Sequence, residues 1–133
     1  MTIRYKRPDH KNAKSLVLAA KDEMDFTLSM PINEKSASTI IRNVYESFRM
    51  IGDALLISKG ISSQDHVECI NELLKLKIEA KRPTGILNNL RILRHSINYY
   101  GYKPKLDELK DTLALAKTLF PPIYSSVLKK IEN

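Results

Sequence analysis

Apolar residues recur at steps of three and four over most of the chain, and this spacing constrains the fold more than any other feature. The longest stripe consists of Ile40, Ile41, Val44, Tyr45, Phe48, Ile51 and Leu55. Such spacing places side chains on one face of an α-helix, which has about 3.6 residues per turn. The 133 residues include only 4 glycines and 6 prolines, which argues against a turn-rich β protein. We therefore predict one all-α domain over residues 1–133: an up-and-down helical bundle of four principal helices plus a short C-terminal helix.

Start and stop signals bound the first two helices. The first is predicted over residues 10–30, with Asp9 able to cap its start and Pro31 ending it just after Met30. The second begins at Asn33 or Ser36. It ends at Gly60, because glycine readily adopts the left-handed conformation that terminates many helices.

A shorter apolar stripe and another principal helix follow. The shorter helix begins near Ser62, which has capping-box spacing with Asp65. The segment 81–85 breaks the pattern, and Thr84 is the predicted cap of the next helix, which ends at Gly101. The residues of that helix predicted to face the core are Ile86, Leu90, Leu93, Ile97 and Tyr100.

The C-terminal part repeats the helical pattern. Its inward residues up to position 120 are predicted to be Leu106, Leu109, Leu113, Ala116 and Phe120. Pro121-Pro122 is expected to break or kink this helix. A last short helix then carries Ile123, Val127 and Ile131. No segment has the alternation that predicts a β-strand.

The positive charge of the chain is concentrated in one segment. The formal net charge is +7, and residues 75–105 hold eight basic side chains and one acidic one, Glu79. Basic and acidic side chains balance elsewhere. A localised positive patch attracts polyanions, which indicates nucleic acid or another phosphate-bearing partner. The alternative is an ordinary solvated basic surface.

The helix before Gly101 also concentrates polar side chains that can bind ligands or take part in catalysis. Successive residues of an α-helix are turned by about 100°, which places several of these polar side chains on one face, away from the apolar stripe of the helix and close to Tyr99. These are Arg91, Arg94, His95, Asn98 and Tyr102. Guanidinium groups bind phosphate through paired donors, a neutral imidazole can accept a proton near pH 7, and tyrosines stack on unpaired bases.

These properties predict two overlapping sets of site residues. The predicted nucleic-acid-binding residues are Arg91, Arg94, Asn98, Tyr99 and Tyr102. The candidate catalytic residues are Arg94 and His95. The alternatives are structural: the arginines are solvated or paired with acids of a neighbouring helix, His95 is a structural or interface residue, and Tyr99 fills core or interface space.

Residues 35–130 resemble the HEPN domain family (higher eukaryotes and prokaryotes nucleotide-binding). The resemblance rests on Tyr45-Glu46 in a long helix, on Asp65-His66 in a polar turn, and on Leu90-Arg91-Ile92-Leu93-Arg94 before a tyrosine-rich end. It implies a small helical bundle that pairs as a homodimer. Many family members are metal-independent ribonucleases, often toxins paired with a nucleotidyltransferase, and others bind RNA without cleaving it.

The chain departs from the catalytic motif of that family. The motif is an arginine, usually a polar residue next, and a histidine after roughly four to six intervening positions. Arg94 matches the arginine and His95 takes the polar position, so the histidine position falls on Tyr99, Tyr100 or Gly101. A tyrosine, whose pKa is about 10, is a poor general base at neutral pH.

Three functional hypotheses follow. The first is a noncatalytic or weakly active HEPN-like RNA-binding protein, a cytoplasmic homodimer that binds RNA such as tRNA in a toxin–antitoxin or nucleotidyltransferase-linked system. The second is an active metal-independent ribonuclease that uses His95. The third is a protein-binding partner subunit of a nucleotidyltransferase. No cofactor or metal is expected, since Cys69 is the single cysteine, and no membrane association is expected, since no run of about 18 apolar residues exists.

Overall fold

Helices dominate the fold, as predicted. The computed structural model describes residues 3–63, 66–79 and 84–132. Within these ranges the elements, in chain order, are β1 Ile3–Tyr5, α1 His10–Leu28, α2 Ala37–Ser58, β2 Ile61–Ser63, α3 His66–Leu74, α4 Ile86–Tyr100 and α5 Leu106–Glu132. Long helices that follow one another along the chain run in opposite directions, and the prediction of an all-α up-and-down bundle is confirmed. None of these helices is long and apolar enough to cross a membrane.

Helix α2 forms the centre of the bundle. It packs against α1, α3, α4 and α5, and every residue of its predicted apolar stripe is buried. Helix α3 approaches closely where α2 carries Gly52, because a Cβ atom at that position would lie 2.1 Å from the carbonyl oxygen of Cys69. The other four helices therefore all pack against α2.

Three predicted helix ends are confirmed in detail. The Asp9 carboxylate accepts a hydrogen bond of 2.9 Å from the backbone N–H of Asn12, which satisfies a donor in the first turn of α1. Gly60 follows α2 with φ 76°, and Gly101 follows α4 with φ 63°. Both glycines occupy the left-handed region that other residues rarely adopt.

The N-terminal part contains a feature that the sequence pattern did not predict. Strands β1 and β2 pair antiparallel, with Arg4 opposite Ser62. Ser62 thus belongs to a strand rather than to a capping box, and Asp65 lies outside the described residues. Residues 81–83 of the predicted break are outside them too. Helix α4 is preceded by Gly85 without a side-chain cap, so the predicted cap at Thr84 does not form.

The C-terminal helix is longer than predicted. Helix α5 continues through Pro121 and Pro122 for 27 residues, and the short helix of the bundle is α3, with 9 residues. The two prolines remove two backbone donors, but their fixed φ is compatible with a helix. The buried side chains on both sides of them, Phe120, Ile123 and Val127, keep this segment packed on the core.

Helix α4 is turned about its axis relative to the prediction. Its buried residues are Leu87, Leu90 and Ile97, whereas Tyr100, predicted to face the core, is 78% exposed. On a helical wheel, the mean direction of the observed buried residues differs by roughly 50° from that of the predicted ones, and the difference turns the arginines of α4 towards α2. Leu106, also predicted to face inward, is 36% exposed at the start of α5.

Candidate functional site

Helices α2 and α4 pack antiparallel and bring polar side chains together along their seam. Arg42 Nε donates a hydrogen bond of 2.8 Å to Asn98 Oδ1. About one turn further along α2, the guanidinium carbon of Arg94 lies 5.2 Å from the centroid of the Tyr45 ring, a cation–π contact. We call this seam the arginine groove, and its members are Arg42, Tyr45, Arg49, Arg91, Arg94 and Asn98.

The local sequence explains why these residues meet. Positions 42, 45 and 49 of α2 are spaced i, i+3, i+7, and positions 91, 94 and 98 of α4 have the same spacing. Residues at this spacing lie on one side of a helix. Because the helices are antiparallel, the start of one set meets the end of the other. The rotation of α4, which buries Leu87, turns its arginines from solvent towards α2.

Tyr45 is the buried centre of the groove. Its side chain is 1% exposed. Burial raises the pKa of its hydroxyl, and the positive charges of Arg94, Arg91 and Arg49 offset only part of this effect. The hydroxyl is therefore protonated at neutral pH and is unsuited to act as a base. The face of the Tyr45 ring packs against the guanidinium group of Arg94.

One arginine of the groove is neutralised and three are not. Arg49 forms a two-point ion pair with Glu46: Nε donates to Oε2 at 3.0 Å, and Nη2 donates to Oε1. This pairing raises the pKa of Arg49. Arg42, Arg91 and Arg94 form no ion pair with an acidic side chain in the part of the chain that the structure describes. The groove therefore carries uncompensated positive charge.

Arg91 adds to this imbalance. Its side chain is half-buried, and its Nε is buried with no hydrogen-bond partner among the residues described. A buried donor without a partner is costly, and a charged one more so. A bound anion would stabilise such a group. The chemistry available in the groove is thus recognition of an oxyanion by converging guanidinium groups.

His95 and two tyrosines form an exposed ring cluster beside the groove. The ring centroids of His95 and Tyr99 are 4.6 Å apart, and those of His95 and Tyr100 are 5.7 Å apart. Tyr99 is 68% exposed and Tyr100 is 78% exposed. Core filling is therefore not the role of these tyrosines. Large ring faces remain accessible to a planar ligand.

Tyr102 does not join the other predicted site residues. The left-handed Gly101 reverses the chain, so that the Tyr102 N–H donates to the Ser96 carbonyl at 3.2 Å. The Tyr102 hydroxyl donates a hydrogen bond of 2.5 Å to Glu108 of α5, and this bond raises its pKa. The predicted grouping of Tyr102 with Arg91 is thus not realised.

Two groove residues escaped the sequence analysis. Arg42 and Arg49 lie on α2, outside the segment that holds the charge excess, so composition gave no reason to select them. A signal for them does exist in the sequence. They stand three and four positions from Tyr45 on the same helix, and that spacing puts all three on one side.

Comparisons of the chain with protein-family models, with curated proteins and with solved structures find no match. The described residues also contain no group of three or more histidine, cysteine, aspartate or glutamate side chains that could hold a metal ion.

Proposed function

We propose that the protein binds RNA through the arginine groove and is noncatalytic or only weakly active as a ribonuclease. The observation that carries this proposal is that Arg42, Arg91 and Arg94 lie along the seam between α2 and α4, and none of them is paired with an acid among the residues that the structure describes. Arg91 and Arg94 are half-buried, and guanidinium groups partly withdrawn from water bind phosphate more strongly than fully solvated ones, because the local dielectric is lower.

The ring cluster supports RNA rather than a small anion as the ligand. His95 follows Arg94 on α4 and its ring packs against Tyr99 and Tyr100, so exposed ring faces lie on the same helix as the proposed phosphate contacts. Single-stranded nucleic acids bind where a positive groove follows the backbone and aromatic rings stack on unpaired bases. The resemblance of this helix to the HEPN motif supports the same class of ligand, and a homodimer or a nucleotidyltransferase partner belongs to the same proposal.

The chemistry of the groove argues for binding without efficient cleavage. In metal-independent cleavage of RNA, a base removes the proton of the 2′-hydroxyl, the 2′-oxygen bonds to the adjacent phosphorus, and the 5′-oxygen leaves. This reaction needs a base within reach of that hydroxyl. The tyrosine hydroxyl at the centre of the groove has a raised pKa. His95 has its ring against Tyr99 and Tyr100. His95 is the one imidazole next to the arginines on α4, so an active ribonuclease would depend on it.

Arg94→Ala tests the proposed contact. We expect it to weaken binding of a single-stranded RNA of about 12 nucleotides by about tenfold, measured by fluorescence anisotropy. The matched control is Lys117→Ala, which removes the same charge from the exposed side of α5. An equal loss in both variants would assign the binding to overall charge and would remove the groove from the proposal.

Cleavage is tested separately, with a mixed tRNA pool in EDTA and analysis of the product ends. We expect intact RNA or very slow release of 2′,3′-cyclic phosphate ends. Rapid cleavage that is lost in both Arg94→Ala and His95→Ala would instead identify an active metal-independent ribonuclease that uses His95.

A further inference from the structure

The two surfaces on either side of α4 carry opposite charge, because α4 contributes arginines to one of them and α5 contributes acidic residues to the other. One side contributes Arg91 and Arg94 to the arginine groove. The other side faces α5 and forms a second groove, which we call the α4–α5 groove. Its lining includes Leu90, Leu93, Leu115, Asn89, Glu108 and Asp111. A second depression that shares Asn89, Leu93 and Glu108 continues it towards Ser96.

The floor of the α4–α5 groove is apolar and incompletely covered. Leu90 and Leu115 form its base and are each 4% exposed. Leu93 is only half-buried, and Ile92 at the edge of the groove is 55% exposed. The rotation of α4 explains this arrangement. Turning towards α2 buries Leu87 and withdraws Leu93 from the core, which leaves an apolar strip facing solvent.

The rim of the groove is acidic although the chain is strongly basic. Glu108 and Asp111 lie one turn apart on α5. Among the described residues that line the groove and its continuation, none is basic. The net charge of the whole chain is +7. A polyanion such as RNA is therefore repelled from this surface, while a cationic apolar ligand is attracted to it.

We propose that the α4–α5 groove binds a basic amphipathic helix of a partner protein. Both walls are helices, so a third helix can pack its apolar ridge between them, while its lysines or arginines meet Glu108 and Asp111. The lining on α4 spans Ile86 to Ser96. That is about 15 Å, or roughly three turns of a docked helix. The groove is spatially and electrostatically separate from the proposed RNA contacts.

The probe is a set of synthetic peptides of about 12 residues, the length that spans the groove. The first has leucines along one helical face and lysines beside them. The second has the same composition in scrambled order, and the third has glutamates in place of the lysines. Backbone amide shifts of the ¹⁵N-labelled full chain report both the affinity and the position of binding.

We expect only the first peptide to bind, with shifts centred on Asn89, Leu93 and Asp111. Asp111→Lys should weaken that binding by about tenfold, since it reverses the charge at the rim. The matched control is Asp107→Lys, an exposed acid in the same helix that does not line the groove, and it should change the affinity by less than about twofold.

Four results would overturn the proposal. The first is equal binding of the scrambled peptide, which would reveal attraction by charge alone. The second is an equal effect of the two charge reversals. The third is no binding of the basic amphipathic peptide at millimolar concentration. The fourth is concentration-dependent shifts at Leu93 without any peptide, which would mean that a second copy of this chain fills the groove.

Discussion

At the scale of the residue, the proposed function depends on which charges are compensated. Arg49 is held by Glu46, while Arg94 rests on the ring of Tyr45 and has no carboxylate partner in the described part of the chain. The sequence showed that Arg94 lies on a polar helical face. It could not show that this face is turned to another helix, because the neighbour of a helical face depends on contacts between distant parts of the chain.

Gly52 is a residue whose role only the structure reveals. We predict that Gly52→Ala destabilises the protein by about 2–4 kcal/mol, because the new methyl group would meet the Cys69 carbonyl at 2.1 Å and force α3 away from α2. The control is Gly85→Ala, where no heavy atom of the described residues beyond its chain neighbours lies within 4 Å of the added atom. Urea unfolding of both variants measures the difference, and a similar stability of the two would contradict the close approach of α3.

At the scale of the element, the ends of the helices were predictable and their rotation was not. Local signals such as Asp9 and Gly60 act within a few residues, so they can be read directly from the sequence. The orientation of α4 depends instead on how Leu87 fits against α2. Continuation of α5 through Pro121 also depends on burial of its flanking residues, which outweighs the local tendency to break.

The orientation of α4 can be tested by two truncations. Leu87→Ala should cost about 2–4 kcal/mol of unfolding free energy, because Leu87 is 0% exposed. Tyr100→Ala should cost less than about 0.5 kcal/mol, because Tyr100 is largely exposed. Chemical denaturation measures both losses of unfolding free energy. A larger loss in Tyr100→Ala than in Leu87→Ala would contradict the observed orientation of α4 and favour the one expected from the apolar spacing alone.

A buried carboxylate ties α3 to the end of α2. The Glu72 side chain is 4% exposed and accepts hydrogen bonds of 2.7 Å from Lys59 and 2.6 Å from Lys75. Burial acts to raise the pKa of Glu72, but the hydrogen bonds and charges of the two lysines outweigh it, so the pKa is lowered. The stabilising contribution is therefore present above the ordinary pKa of 4.5 and is lost as the pH falls through the lower pKa of the folded state.

We predict that Glu72→Gln lowers stability by about 1–2 kcal/mol at pH 7, and that this difference shrinks as the pH falls from 4.5 through the lower pKa of Glu72 in the folded state. Thermal unfolding over this pH range measures the effect. Glu34→Gln, at an exposed position before α2, is the control and should leave the pH profile of the parent protein intact. A pH-independent difference between Glu72→Gln and the parent would mean that the ion pairs contribute nothing to stability.

At the scale of the whole molecule, α4 separates two surfaces of opposite character. The arginine groove between α2 and α4 has uncompensated guanidinium groups, and the α4–α5 groove has an apolar floor and an acidic rim. The excess of basic residues between positions 75 and 105 directs attention to α4. Net charge cannot reveal the acidic groove beside this helix, because Glu108 and Asp111 belong to α5, a later part of the chain.

The central claim is that phosphate groups of RNA contact the arginines of the groove. The most direct test is the slope of the logarithm of RNA affinity against the logarithm of salt concentration, for the parent protein and for Arg42→Ala, Arg91→Ala and Arg94→Ala. Loss of one phosphate contact with single-stranded RNA should reduce the magnitude of this slope by about 0.7. We expect such a reduction in each of the three variants and none in Lys117→Ala. Slopes that do not change in the arginine variants would contradict the claim.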